Sequence, residues 1–398
     1  MAYHTITLKE GRSTSVRFWH PWIFSGAIAD AGGAGHGAVV RVVDHEGVLL
    51  GVGTFSAMSS ISVRVFHFGE KDIEIDHEWF AEMFRAKNIE RGMMGFGPDS
   101  ETTGYRMIMS ESDGVPGVII DRYQDVFVVQ LSTAGADALR DEIIAALVEV
   151  FAPRAIVERS DMAVRKEEGL EDVVAVQYGE LSDVVRFSEY GISFIADVLG
   201  GQKTGFFFDQ KDLRKHIHAL AKGRSVLNLF SYTGASAIAA MKGGAVSVHN
   251  VDSSDAALSG VHVLREMHGI DESVYTTENM DVFQYAGMQH NRQYGMVLID
   301  PPALIKSERH VEEGKKAYHF LNRAALRLVE DGGIFVTSSC SHFLTEEDLS
   351  FILRRASVQA GVQLSVLAAV HQSSDHPRSV YFPESGYLKS FVCRVKRL

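Results

Sequence analysis

Cysteine occurs twice in these 398 residues, at Cys340 and Cys393, and only the first has a setting in which a thiol could react. In "FVTSSCSHFL" it follows an apolar run and is flanked by Ser338, Ser339 and Ser341, polar neighbours that can support a thiolate, the nucleophilic form. Cys393, in "FVCRV", shares a strand face with Phe391 and Val395, the setting of an inert core thiol. Three carboxylates form a second group: Asp252 closes "AVSVHNVD", Asp281 follows "SVYTT" within "ENMDVF", and Asp300 closes "YGMVLID". Singly, each reads equally well as a helix cap or a solvated loop acid. In succession, at the carboxyl ends of neighbouring strands, they suit a nucleoside cofactor, with Asp252 accepting from the ribose hydroxyls and Asp281 from the adenine amino group. The two prolines after Asp300 remove two donors and hold the chain extended, aiming Asp300 and the following carbonyls into the crevice. "VLNLF" runs into "SYTGASA", whose Ser231, Gly234 and Ala235 let a ligand approach the backbone. That turn lacks a full G-x-G-x-x-G, which weakens a nicotinamide reading.

These residues need a scaffold that brings strand ends together. After residue 223, apolar strands alternate with helical segments ("SVLNLF", "ASAIAAMKGG", "AVSVHNVD", "SSDAALSGVHVLREMHG", "YGMVLID", "GGIFVTSS"), which predicts a doubly wound parallel α/β sheet. Two tail strands, "VQLSVLAAV" and "GYLKSFVCRV", predict an antiparallel pair at one side. The first 70 residues alternate apolar and polar between glycine-rich turns, as in "GAVVRVVDHEGVLLGVGTF" and "SISVRVFHF", and predict a small β-barrel. Between them, a helical "DHEWFAEMFRAKNIERGM", strands "GVIID", "VFVVQL" and "RAIVERS", and one amphipathic helix "ADALRDEIIAALVEVF" predict a separate α+β domain. We divide the chain at 1–72, 73–190 and 191–398, with "GISFIADVLGG" as a hairpin leading into the last part.

A length of 398 residues calls for two or three domains. The hydrophobic fraction of 46% is that of an ordinary globular chain. No CxxC spacing suggests a metal centre, reduced thiols suit the cytoplasm, and no apolar run is long enough to span a membrane, so we expect a cytoplasmic protein with no metal and no membrane contact. The net charge of −12 argues against a uniformly basic nucleic-acid coat, but residues 1–70 are balanced at five basic and five acidic residues, permitting a local RNA contact.

Taken together, "LNLFSYTGASA", "NVDSSDAAL", "VLIDPPA" and "SSCSH" resemble the class I S-adenosylmethionine-dependent methyltransferases, in particular the bacterial PUA-domain family that makes 5-methylcytosine in 23S ribosomal RNA. "GRSTSVRFWHPWIFSGAI" resembles that family's PUA opening, "SDGVPGVIIDRYQDVFVVQL" its central domain, "QKTGFFFDQKDLR" the segment ahead of the first strand, and "SDHPRSVYFPESGYLKSFVCRV" its C-terminal signature. The resemblance implies a seven-stranded Rossmann-like methyltransferase domain preceded by a PUA-like RNA-binding β-barrel and a central α+β domain. It implies S-adenosyl-L-methionine as cofactor, lined by Lys203, Thr204, Phe206, Gln210 and Arg214 beside Phe230, Ser231, Tyr232, Gly234, Asp252, Ser253, Asp281 and Asp300. Lys211, Leu213 and Ala235 depart from the family's usual residues, which puts Lys211 in doubt as a ligand contact. Cys340 would be the nucleophile at cytosine carbon 6, with Asp300 on the N3/N4 edge, and ribosomal RNA, free or in an assembling large subunit, the partner. The final domain is also compatible with a homodimer. Phe206, Phe207 and Phe208 read as core or cofactor wall, and His342, Tyr318 and Asn322 as structural.

Two other readings compete with this one. Methylation of an exocyclic amine would need the "DPP" loop but no thiol, and Ala303 stands where such sites usually carry an aromatic ring. An RNA-binding or assembly protein with a weakened catalytic domain would not bind the cofactor.

Overall fold

The computed structural model describes residues 3–181 and 184–398. The chain divides into two units, Met1–Phe208 with Ser374–Ser385, and Asp209–Ser373 with Gly386–Leu398.

In the first unit, the alternating N-terminal segments form a six-stranded sheet in the order Trp22–Phe24, Ile61–Phe68, Leu49–Phe55, Val39–Val43, His4–Leu8, Ile28–Asp30. The alternation explains the packing: Val40 and Val42 are fully buried beside Ile6, Leu8, Val63 and Val65, while Arg41 between them points outward to Asp72. A second sheet carries Gly104–Met109, Val118–Tyr123, Val126–Leu131, Ala155–Ser160 and Val173–Gly179 in sequence order. Helix His77–Met93, capped by the Asp76 carboxylate on the Trp79 amide, contributes Phe80 and Phe84 to a core shared with Phe127, Ile143 and Leu147. The segment expected as one helix, "ADALRDEIIAALVEVF", is two, Ala134–Ala138 and Arg140–Phe151, because Leu139 leaves helical geometry at ψ 14°. "GISFIADVLGG" supplies Ile192–Ala196, which pairs with Val185–Glu189 as an antiparallel hairpin.

The second unit is built on seven strands: β1 (Ser225–Leu229), β2 (Ser247–Asp252), β3 (Tyr275–Asn279), β4 (Tyr294–Ile299), β5 (Val329–Ser339), β6 (Val362–His371) and β7 (Lys389–Arg397). Their order is β3-β2-β1-β4-β5-β7-β6, with β7 antiparallel to both neighbours and β1 to β5 mutually parallel. The expected antiparallel pair is therefore present, with β7 inserted beside β5 and β6 at the edge. Every residue of β4 is buried, which is why it reads as an unbroken apolar run. Helix α1 (Lys211–Leu220) leads into β1, and α2 (Ala235–Lys242), α3 (Asp255–Met267), α4 (Val282–Gly287), α5 (Val311–Arg327) and α6 (Glu346–Ala360) connect successive strands from β1 to β6. α5 turns Tyr318, Leu321, Asn322 and Ala325 inward at helical spacing. α6 begins on a reciprocal capping box between Thr345 and Asp348 and ends at Gly361 in left-handed geometry.

Candidate active site

Strand order reverses between β1 and β4, and an open parallel sheet offers a crevice at the carboxyl ends of its strands where the order reverses. The turn after β1 is contorted at this point, with Phe230, Tyr232 and Gly234 all at positive φ, 59°, 48° and 84°. Gly234 is required twice over, since an added Cβ would lie 3.0 Å from the Tyr275 hydroxyl and 3.1 Å from Val261. The Tyr232 amide donates to Asp252 Oδ2 at 2.9 Å, and the Ser254 amide donates to its Oδ1 at 3.0 Å, so the β2 carboxylate is tied to the β1 turn. Ser231 Oγ is buried beneath this turn and finds no partner among the described residues.

Opposite lies Asp300, exposed directly after β4, where Gln210 Nε2 donates to its Oδ2 at 3.0 Å. Gln210 Oε1 is a second buried oxygen with no partner among the described residues. Arg214 and Lys211 are both buried on α1. Asp281 caps α4 by accepting from the Gln284 amide at 2.9 Å, so the helix-cap reading holds for one of its oxygens. Ser253 is exposed beside Asp252.

Cys340 follows β5 and is partly buried. The turn around it is fixed by a hydroxyl network: Ser339 Oγ donates to the Tyr318 hydroxyl at 2.8 Å, which lies 3.0 Å from Ser341 Oγ. Ser341 Oγ also accepts from the Ile305 amide at 3.2 Å, linking the "DPPALI" loop to the cysteine turn. Tyr318 is therefore the brace between the Asp300 loop and Cys340, and burial raises its phenol above the usual range. Asn322 is structural, donating to the Tyr318 carbonyl at 2.8 Å. Lys389, the first residue of β7, is paired with Ser339 and donates to the Ser341 carbonyl at 2.8 Å. Its only sequence signal was a lysine inside the apolar strand "GYLKSFVCRV". Cys393 is fully buried, and desolvation pushes its thiol up to about 12.

Lys203, Thr204 and Phe206 belong to the first unit. Thr204 is enclosed: its hydroxyl donates to Asp121 at 2.5 Å, Arg106 pairs with the same carboxylate, and the Tyr123 hydroxyl donates to the Thr204 carbonyl. Phe206 and Phe208 pack with Phe187 and Phe194 as a ring cluster, the core role expected for them. Lys203 lies over the Phe207 ring. The C-terminal signature is divided: its part through Ser385 joins the first unit, where Asp375 accepts from the Arg106 amide, and the remainder joins β7's unit.

A family model described as S-adenosylmethionine-dependent methyltransferase matches residues 158–356, and one described as PUA-like domain matches residues 6–68. Ribosomal RNA large subunit methyltransferase I from Alteromonas mediterranea is 38% identical over 393 residues, covering 98% of this chain and 98% of its own. The chain belongs to the ribosomal RNA large subunit methyltransferase I family. The protein of the same description from Shewanella frigidimarina is also 38% identical, across 98% of this chain and 99% of that one. Among solved structures, SMU.776, described as a methyltransferase complexed with SAH, has a TM-score of 0.83 at 24% identity, covering 98% of this chain and 100% of that chain, which is a likeness of fold. The protein is thus an S-adenosylmethionine-dependent methyltransferase with a Rossmann-like catalytic sheet and a PUA-like N-terminal barrel. The residues present fit that cofactor: a glycine-bearing left-handed turn, a carboxylate at the end of β2, and buried oxygens of Ser231 and Gln210 that find no partner among the described residues. Among the described residues, no cluster suited to a metal ion occurs and no helix is long and apolar enough to cross a membrane.

Proposed function

We propose that this methyltransferase forms 5-methylcytosine in large-subunit (23S) ribosomal RNA, through a covalent adduct between Cys340 and carbon 6 of the base. The observation that carries this reading is a partly buried thiol in a hydroxyl-braced turn, on the sheet edge that also bears Asp300 and Asp252. The relatives' description as ribosomal RNA large subunit methyltransferase I supports the substrate class. Ala303, where an amine-methylating site would call for an aromatic ring, supports carbon over exocyclic nitrogen.

Carbon 5 of cytosine is a poor nucleophile. Addition of the Cys340 thiolate to carbon 6 forms an S–C bond and breaks the C5–C6 π bond; the double bond moves to C4–C5, N3 takes up a proton from solvent, and the resulting enamine can attack an electrophilic methyl group through carbon 5. Asp300 accepts hydrogen bonds from the N3/N4 edge and offsets the positive charge that develops there. Removal of the carbon 5 proton then expels the thiolate. S-Adenosylmethionine supplies the methyl group on a sulfonium. On this chain, Asp252 would hold its ribose, Asp281 its adenine edge, and Phe230, Ser231, Tyr232, Gly234, Ser253, Gln210 and Arg214 would complete the cradle. Asp252→Asn is expected to weaken cofactor binding by roughly 10- to 100-fold, the cost of a lost charge-assisted hydrogen bond pair, read by titration calorimetry. An unchanged affinity would remove Asp252 from the cradle.

The barrel unit supports an RNA contact. Phe18, Trp19, Phe24 and Tyr381 are exposed aromatics, Trp19 and Tyr381 meet edge to face at 5.0 Å, and Arg12 and Arg378 are exposed beside them in sequence. Unpaired bases stack on such rings while guanidinium groups meet phosphates. Trp19→Ala with Tyr381→Ala is expected to weaken RNA binding at least about 10-fold in a gel-shift titration and to leave cofactor affinity unchanged. The function itself is tested by incubating the protein with unmodified ribosomal RNA and labelled cofactor, digesting to nucleosides and identifying the product by mass and retention. Label in 5-methylcytidine is the expected result. Label in an N4-methylated or other nucleoside overturns the assignment.

A further inference from the structure

Lys389 is a buried cation with almost nothing to neutralise it. Its side chain is 8% exposed, and an ammonium carries three donors. Among the described residues it finds one acceptor, the Ser341 carbonyl at 2.8 Å, and no carboxylate within ion-pair distance. Burial pushes it below the usual lysine range, with Cys340 and Glu346 as the neighbours that pull it back. Glu346, on the first turn of α6, is committed elsewhere: His371 Nε2 lies 2.7 Å from its Oε2. His371 itself is the residue of β6 paired with Lys389. Also at this turn are Tyr318 of α5, whose phenol burial keeps protonated, and His342, two residues beyond Cys340. A buried ammonium is retained at a cost in desolvation, and the group that compensates it must be anionic when the site works.

The backbone fixes where that anion is. Lys389 is the register partner of Ser339 and hydrogen-bonds Ser341, so it brackets the one residue between them. We propose that the Lys389 ammonium is the counter-charge that holds Cys340 as a thiolate, making Lys389 a positioning residue for the nucleophile. The inference rests on the reading of Cys340 as nucleophile and adds what activates it. The thiol proton passes to solvent, the sulfur keeps its lone pair, and the ion pair remains until the S–C6 bond forms and the negative charge leaves sulfur. When the adduct breaks, the departing thiolate returns to the same cation. A nearby cation is an established way to bring a thiol into the range where it is ionised at neutral pH. β7 is antiparallel and enters beside β5, and this is the geometry that lets its first residue reach across the end of the strand carrying the nucleophile.

The test needs neither RNA nor cofactor. The full chain is treated with iodoacetamide across pH 5 to 10, and modification of the Cys340 peptide is followed by mass spectrometry, with buried Cys393 as the unreactive internal reference. Wild type is expected to show a midpoint at least about one pH unit below a free thiol, which is a tenfold gain in thiolate fraction below the midpoint. Lys389→Met should move the midpoint up by at least that unit, and Lys389→Arg, which keeps the charge, should recover most of it. A wild-type midpoint at or above that of a free thiol overturns the proposal without any variant. So does an equal shift in Lys389→Met and Lys389→Arg, the signature of a merely structural role. Failure of the covalent reading is seen separately, as retained methyl transfer in Cys340→Ala, whatever the alkylation profile.

Discussion

Cys340→Ala is expected to abolish methyl transfer: single-turnover rates with ribosomal RNA should fall by at least about 10³-fold, the order of loss seen when a covalent nucleophile is removed, while calorimetric affinity for S-adenosylmethionine should stay within twofold of wild type (a ~0.4 kcal/mol allowance). The two readouts separate because the bonds that hold the Asp252 carboxylate come from backbone amides, not from the sulfur. The Asp252 carboxylate is held by the Tyr232 and Ser254 amides, and the cysteine turn is braced by Ser339, Tyr318 and Ser341. Removing one sulfur atom leaves those bonds in place. Cys340→Ser should be equally inactive, since a hydroxyl at neutral pH is not ionised and adds poorly to a pyrimidine. Cys393→Ala is the opposite control. That thiol is enclosed with Phe391, Val395 and Phe335, so its loss should lower the melting temperature and spare the rate per folded molecule.

Asp300→Asn is expected to lower kcat by about 10²- to 10³-fold, the usual effect of removing one preorganised electrostatic partner of the developing charge. The amide is nearly isosteric and can still receive the Gln210 side chain, so folding and the loop geometry survive. What it lacks is negative charge facing the N3/N4 edge as carbon 5 gives its electron pair to the methyl group and that edge becomes cationic. Its signature should therefore lie in kcat, whereas that of Asp252→Asn should lie in cofactor affinity. Equal kcat in Asp300→Asn and wild type would limit Asp300 to a structural role in the loop.

The catalytic unit was legible because its logic is local. Apolar runs of five or six residues alternating with helical spacing define a doubly wound sheet, and the same pattern puts Asp252, Asp300 and Cys340 at its carboxyl edge. Strand ends are fixed by where each apolar run stops. The hydroxyl network and Lys389 were not legible, since both arise from which strand lies beside which. β7 comes 50 residues after β5, and only their pairing makes Lys389 the neighbour of Ser339. The division of "SDHPRSVYFPESGYLK" between two units is likewise invisible in a contiguous motif. Leu139, at ψ 14°, broke an expected helix that its composition alone would have continued.

Substituting 5-fluorocytidine for cytidine in the RNA interrogates the reaction at its covalent stage. Fluorine replaces the proton that must leave carbon 5, so a ring that has accepted both the thiolate and the methyl group cannot release the enzyme. Incubated with this RNA and S-adenosylmethionine, the protein should gain the mass of the methylated RNA fragment in a denaturant-stable species, with the modification mapped to Cys340. Free, unmodified protein together with methylated 5-fluorocytidine in the released RNA would contradict a cysteine adduct.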